Sequence, residues 1–230
     1  MREFFEASVF AGVFITLAAY FIGVEVKKRT GSSVFNPILV GVIITIVLLK
    51  ALGIDYQVYN AGAKYISFFL TPATVCLAIP MYEQIEPLKK NFKAIIIGIT
   101  SGVLTSLITI FALALIFGLD HTGYVSLLPK SITTAIGMSV SEELGGIVSI
   151  TVMAIIITGI LGNVIAEGLL KICRIEEPVA KGVAIGSASH AVGTAKAMEL
   201  GETEGAMSSL SIVIAGVLTV FGAMIFSRFI

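Results

Sequence analysis

Apolar residues run along this chain in long continuous stretches, without the alternation of a half-buried strand. A helix needs about 20 mostly apolar residues to cross a bilayer. Six stretches meet that length: Ala7–Val24, Val34–Leu52, Ala61–Met81, Ala94–Gly118, Ile147–Leu170 and Ala206–Phe229. Two more have the length but not the character. Gly123–Gly146 carries Pro129, Lys130, Glu142 and Glu143, and Ala180–Leu200 carries Lys181, His190, Lys196 and Glu199. The pattern predicts an all-α polytopic membrane protein with six clear transmembrane helices and two interrupted or re-entrant segments. Residues 1–230 read as a single transmembrane domain. A β-barrel is disfavoured, because its strands would alternate with period two.

Composition narrows this further. Of 230 residues, 57% are hydrophobic and 13% charged, and the mean hydropathy is +1.01. A soluble domain carries about 25% charged residues, so this chain has too few charges to coat a water-exposed surface. Fifteen basic residues balance fifteen acidic ones, leaving no net charge to hold a polyanion. Nucleic acid is therefore excluded as a partner, and the lipid bilayer is the expected one. Cys76 and Cys173 are too few for a disulfide scaffold.

The scarce charges set orientation. The first apolar run is too long for a signal peptide, and Lys27-Lys28-Arg29 follows it in place of a cleavage site. These cations, and Lys89, Lys90 and Lys93 after the third run, mark cytoplasmic loops of a multi-pass protein of the cell membrane. Lys171, Arg174 and Lys181 form a third basic loop. It reaches the same side only if Gly123–Gly146 enters and leaves on one side. Tyr56, Tyr59, Tyr65, Tyr82 and Tyr124 fall near span ends, as interfacial anchors should.

An internal two-fold repeat is suggested by three matches at nearly constant spacing. Ser101–Thr105 resembles Ala215–Thr219, 114 positions on, and Thr71–Gln84 falls on Ile185–Met198 at that offset. Ile43-Ile44-Thr45 matches Ile156-Ile157-Thr158 at 113. The halves would be residues 1–115 and 116–230. Repeats with interrupted helices are a pointer to secondary transporters.

The breaks hold the candidate chemistry. Pro72 removes an amide donor and frees a carbonyl, with Thr71 and Thr74 beside it to bond the freed groups. Irregular backbone at membrane depth is tolerated only where it is buried or lines a polar cavity. Pro129 suits the first turn of a helix whose N-terminus, with Lys130, would attract an anion. Ser131, Thr133 and Thr134 add hydroxyl ligands. An ionisable group within a span is costly and points to function. In the small-residue run Ala184–Lys196, Ser189, Gly193 and Thr194 offer hydroxyls and accessible amides. His190, with a reference pKa of about 6.5, is a candidate proton carrier, and Glu142 and Glu143 are further candidates. Asn36 should cap a helix opened by Pro37, Asn163 should bridge helices or face a cavity, and His121 should meet solvent. No metal ligand set, cofactor motif or catalytic triad is read here; an intramembrane hydrolase on Ser131/Lys130 or Ser189/His190 lacks an orienting acid.

Several of these strings together resemble a known family. Leu128–Thr134, Gly145-Gly146, Thr158-Gly159, Ser189–Ala197, Glu204-Gly205-Ala206 and Ser208-Ser209-Leu210 are similar to the LrgB/CidB family. That family includes antiholin-like, autolysis-modulating bacterial proteins and plastid glycolate/glycerate transporters. Ala135 and Val148 stand where its members often have proline. The resemblance implies a companion membrane protein of the LrgA/CidA type and small carboxylate substrates, and a homo-oligomer, a dimer, is expected. The expected function is a proton-coupled secondary transporter of small monocarboxylates or 2-hydroxy acids such as glycolate, glycerate or pyruvate. The alternative is a holin/antiholin-like module that modulates murein hydrolase activity and autolysis.

Overall fold

The computed structural model describes residues 10–31, 35–69, 72, 75, 76 and 78–230, and among these the chain is helical with no strand. The chain divides into two compact units, Met1–Cys76 and Leu77–Ile230. In the first unit, helix α1 (Ala11–Thr30) continues through the cluster Lys27-Lys28-Arg29, which therefore forms its last turn. Glu25 and Arg29 pair one turn apart at 2.7 Å, and Gly31 in a left-handed conformation stops the helix. Helix α2 (Pro37–Leu52) is capped as expected: Asn36 Oδ1 accepts from the amides of Ile38 (2.8 Å) and Leu39 (3.3 Å). Helix α3 (Tyr56–Ser67) is capped by Asp55 and packs on α1, where Thr16 Oγ1 and Tyr59 OH lie 2.7 Å apart.

In the second unit, two short helices, α4 (Ala78–Glu83) and α5 (Ile85–Lys90), precede α6 (Phe92–Phe117). The rest of the unit is α7 (His121–Leu127), α8 (Thr134–Glu143), α9 (Val148–Ile172), α10 (Pro178–Leu200) and α11 (Glu202–Phe226). Among the described residues three helices, α6, α9 and α11, are long and apolar enough to cross a membrane. These are three of the six clear spans that the sequence predicts. The described part of the first run keeps only residues 11–24 ahead of its charged last turn, and α2 has 16 residues, short of a full crossing. Ala61–Met81 is not one helix among the described residues: α3 ends at Ser67 and α4 begins at Ala78.

Both interrupted segments double back. The chain leaves α7, turns through residues 128–133 and returns as α8. Its two ends meet: the Ile147 amide donates to Ser126 Oγ at 2.7 Å, and Thr151 Oγ1 donates to the Ser126 carbonyl at 2.8 Å. Ser141 Oγ, on α8, is 2.7 Å from the same Thr151 hydroxyl. In α10 the backbone breaks at His190, with φ 43° and ψ −141°. A straight helix rises about 1.5 Å per residue, which would hold Ile185 and Gly193 about 12 Å apart. Instead a Cβ on Gly193 would lie 3.0 Å from Ile185 Cγ2 and 3.3 Å from the Ile185 carbonyl oxygen. Segment α10 is thus a second hairpin with its apex at His190.

The hairpins enter from opposite ends. Glu86, Lys90, Asn91, Glu177, Pro178 and Thr203 gather at one end of the unit, where Thr203 Oγ1 donates to Gln84 Oε1 at 3.2 Å. The loop carrying Lys89 and Lys90 and the loop carrying Lys171, Arg174 and Lys181 therefore share an end, as the charge pattern requires. At the other end, the tip of α7 meets the end of α11. His121 Nδ1 lies 2.7 Å from the Ile230 carbonyl, and Tyr124 OH donates to the Phe226 carbonyl at 3.0 Å. Tyr124 is wholly buried there and not an interfacial anchor; the ring set edge-to-face against Phe111 and its satisfied hydroxyl explain why it leaves the surface. Ile99, Val103 and Leu107 of α6, with Val125, Leu128, Met207 and Ala215, form the core. Gly98 and Gly102 bring α6 against Val183 and Ser187 of the second hairpin.

Candidate functional site

The apices of the two hairpins bring Lys130 and the His190 region together. Residues 128–132 form tight turns, with the Lys130 amide donating to Leu127 O (3.1 Å) and the Ile132 amide to Pro129 O (3.3 Å). Pro129 therefore sits, buried, in the connecting turn and not in the first turn of a helix as expected. The helix starts later because the Thr133 backbone takes the cap position, its carbonyl accepting from the Gly137 amide at 2.8 Å. Lys130 Nζ donates to Ser131 Oγ at 3.1 Å, and Ser131 Oγ lies 3.3 Å from Ser106 Oγ on α6. The turn is thus tied to a span through hydroxyls.

Helix α9 threads between the two apices. His190 is buried, with Nε2 3.0 Å from the Ile155 carbonyl. Asn163 bridges helices as expected, its Nδ2 donating to the Val192 carbonyl at 2.8 Å. Thr194 Oγ1 donates to the His190 carbonyl at 2.9 Å and lies 2.7 Å from Ser208 Oγ on α11. The apex of α10 is therefore held by side-chain bonds to both neighbouring spans, which offsets the amide and carbonyl partners lost at the break. Gly137, just beyond the first turn, and His190 both meet Ile155 of α9.

A cavity of about 510 Å³ opens beside this junction, lined by Lys130, Thr158, Gly162 and Ser189 and then by apolar side chains of α9 and α10. Lys130 is its one charged lining group among the described residues. Such a cavity offers a cation and a hydroxyl at its inner end against apolar walls, which suits a small anion with an apolar body.

The remaining candidates fall elsewhere. Thr133 and Thr134 begin α8 beside the turn, and Gly193 is buried behind Ser189 within the second hairpin. Glu142 and Glu143 are exposed at the end of α8, a whole helix away from Lys130. Pro72 is exposed and belongs to the first unit; Thr71 and Thr74 lie outside the described residues. No group of three or more metal-ligating side chains occurs among the described residues. Sequence reasoning missed Ser106 and Thr151, which hold the first hairpin from neighbouring spans, and Gly162, which admits Ser189. Their only signal is a small or hydroxyl residue inside an apolar run, which many spans carry.

Comparison with known proteins bears on the same stretch. The LrgB-like family profile matches residues 16–229. The chain is 40% identical over 220 residues to the antiholin-like protein LrgB of Bacillus cereus strain B4264, covering 95% of this chain and 96% of that one. The same identity and coverage hold for the antiholin-like protein LrgB of Bacillus anthracis strain CDC 684 / NRRL 3495. No solved structure matches. Similarity of this extent, running through both hairpins and all three long spans, means that the chain belongs to the LrgB-like family.

Proposed function

We propose that this protein is an antiholin-like module of the cell membrane that modulates murein hydrolase activity and autolysis. The observation that carries this reading is the near full-length, 40% identity to proteins named antiholin-like. The basic end of the second unit faces the cytoplasm, following the distribution of Lys and Arg. The module works as a homodimer beside a small LrgA/CidA-type membrane protein and has no enzymatic step of its own. Expression in a bacterium lacking its own relative should slow detergent-induced lysis and lower murein hydrolase activity in the culture. Lysis curves unchanged by expression, with the protein present in the membrane, would refute it.

A second reading has its own support: Lys130 faces a cavity at the meeting point of two doubled-back helices. A passive structural module has no need of an embedded cation there, whereas a carrier of small monocarboxylates does. In this reading Lys130 pairs with the carboxylate, Ser189 and the hydroxyls near Ser131 select among 2-hydroxy acids, and His190 carries a coupled proton. Uptake of radiolabelled glycolate or pyruvate into proteoliposomes, with and without a pH gradient, tests it. Absence of uptake by the native chain, or unchanged uptake by Lys130→Ala, counts against it. The two readings are compatible if autolysis responds to the metabolite moved.

A further inference from the structure

The two halves of the second unit repeat one plan in opposite directions. A hairpin followed by a 25-residue span, α9, is succeeded by a second hairpin and another 25-residue span, α11, beginning 54 positions later. Gly162 and Gly168 of α9 recur as Gly216 and Gly222 of α11 at that spacing. Each span meets the other half's hairpin at the equivalent glycine: Gly162 faces Ser189, and Gly216 faces Ile136. The hairpins enter from opposite ends, so the relation is an inverted one. It accounts for the Lys130 apex being met by the His190 apex from the far side.

The two spans differ in exposure. Along α9, Leu161, Ile165 and Leu169 are 53%, 46% and 49% exposed, whereas their counterparts Ala215, Thr219 and Ala223 on α11 are 1%, 4% and 0% exposed. The α11 face is sealed by α6, where Leu107 lies against Gly222 and Ala215 and Ala223 join the α6 core. The α9 face is instead the wall of the cavity that begins at Lys130 and continues from Thr158 to Cys173, about 22 Å of helix. At its outer end it shares Leu170 and Ile175 with a second cavity of about 300 Å³. That outer cavity is lined by Lys171, Arg174 and Lys181 against Glu167 and Glu176, a net positive mouth.

We infer that the groove along α9 is the path by which a small organic anion reaches Lys130 from the basic end, and that the α11 face is its sealed counterpart in an inverted repeat. The inference rests on the transport reading for its ligand. Charge complementarity argues for an anion: a cation at each end of the path, with apolar walls between.

Cysteine accessibility tests it. In a Cys76→Ser, Cys173→Ser background, which removes both native thiols, single Leu161→Cys, Ile165→Cys, Ile157→Cys and Thr219→Cys variants are placed in oriented proteoliposomes. They are treated with small anionic or cationic methanethiosulfonates from either side. A thiol must reach water to ionise and react, so Leu161→Cys and Ile165→Cys should react from the basic side at least about ten-fold faster than the other two. The anionic reagent should be preferred, with the preference lost in Lys130→Gln and restored by Lys130→Arg. Equal rates at positions 157, 161 and 165, faster reaction from the opposite side, or a preference indifferent to Lys130 would each overturn the inference. Selective labelling without glycolate or pyruvate flux upholds the path and overturns the transport reading alone.

Discussion

The hydroxyl of Ser189 occupies the space in which a side chain on Gly162 would stand. The contact locks the apex of the second hairpin onto the middle of α9, next to Asn163, which holds the Val192 carbonyl. A matched pair of substitutions isolates it. Gly168, on the same helix, has open space where a Cβ would go. Gly162→Ala should lower stability by about 1–3 kcal/mol through overpacking, while Gly168→Ala should be neutral or raise it by up to about 1 kcal/mol. Thermal unfolding in detergent, followed by far-ultraviolet circular dichroism, separates the two.

The break at His190 holds a non-glycine residue at φ 43° and ψ −141°, a conformation that costs a side chain about 1–3 kcal/mol. The bond from its ring to Ile155 O returns part of that. His190→Ala keeps the strain and loses the bond, so it should unfold at lower temperature than the native chain. His190→Gly loses the bond but also relieves the strain, and should fall between them. If the alanine variant is at least as stable as the glycine one, the backbone at this apex is not strained as described.

The first hairpin is tied to α9 through Ser126, Ser141 and Thr151, all buried. Thr151→Val conserves shape but removes the hydroxyl that bonds the Ser126 carbonyl. It should cost about 1–3 kcal/mol, because a buried acceptor is left unmatched. A double-mutant cycle with Ser141→Ala should give a coupling of at least about 0.5 kcal/mol. Strict additivity would mean that the two hydroxyls do not act together.

Lys130 should govern anion binding before any transport is measured. Glycolate or pyruvate at saturating concentration should raise the melting temperature of the native chain, since a ligand that binds only the folded form stabilises it. Lys130→Gln should weaken that binding at least about ten-fold, equivalent to about 1.4 kcal/mol, and Lys130→Arg should retain most of it. An equal thermal response in native and Lys130→Gln protein would remove Lys130 from the site.

Much of the site was legible as an anomaly in the sequence. Lys130 and His190 stand out because a polar or charged group is costly within an apolar stretch, and Asn36, Pro37 and Asn163 each act as their residue type suggests. The surrounding frame was less legible. Three of the six long runs are not single helices of spanning length among the described residues: charged residues carry α1 onward, Asn36 and Gly53 delimit α2, and Ala61–Met81 is divided. Tyr124 reads as an anchor by position yet is buried, because its hydroxyl finds a carbonyl 102 residues away.

Hydropathy and charge by themselves determined the membrane class, the two places where helices must break and the end at which the basic loops gather. These are local properties: apolar length, a proline, or an ionisable group within a run that water does not reach. Whether the chain continues or turns back at a break is not local. It depends on contacts such as Ile185 with Gly193 and Ser126 with Ile147, each made between residues that an unbroken helix would hold well apart. Only the tertiary structure decided that, and with it the meeting of two opposed apices at Lys130 beside α9.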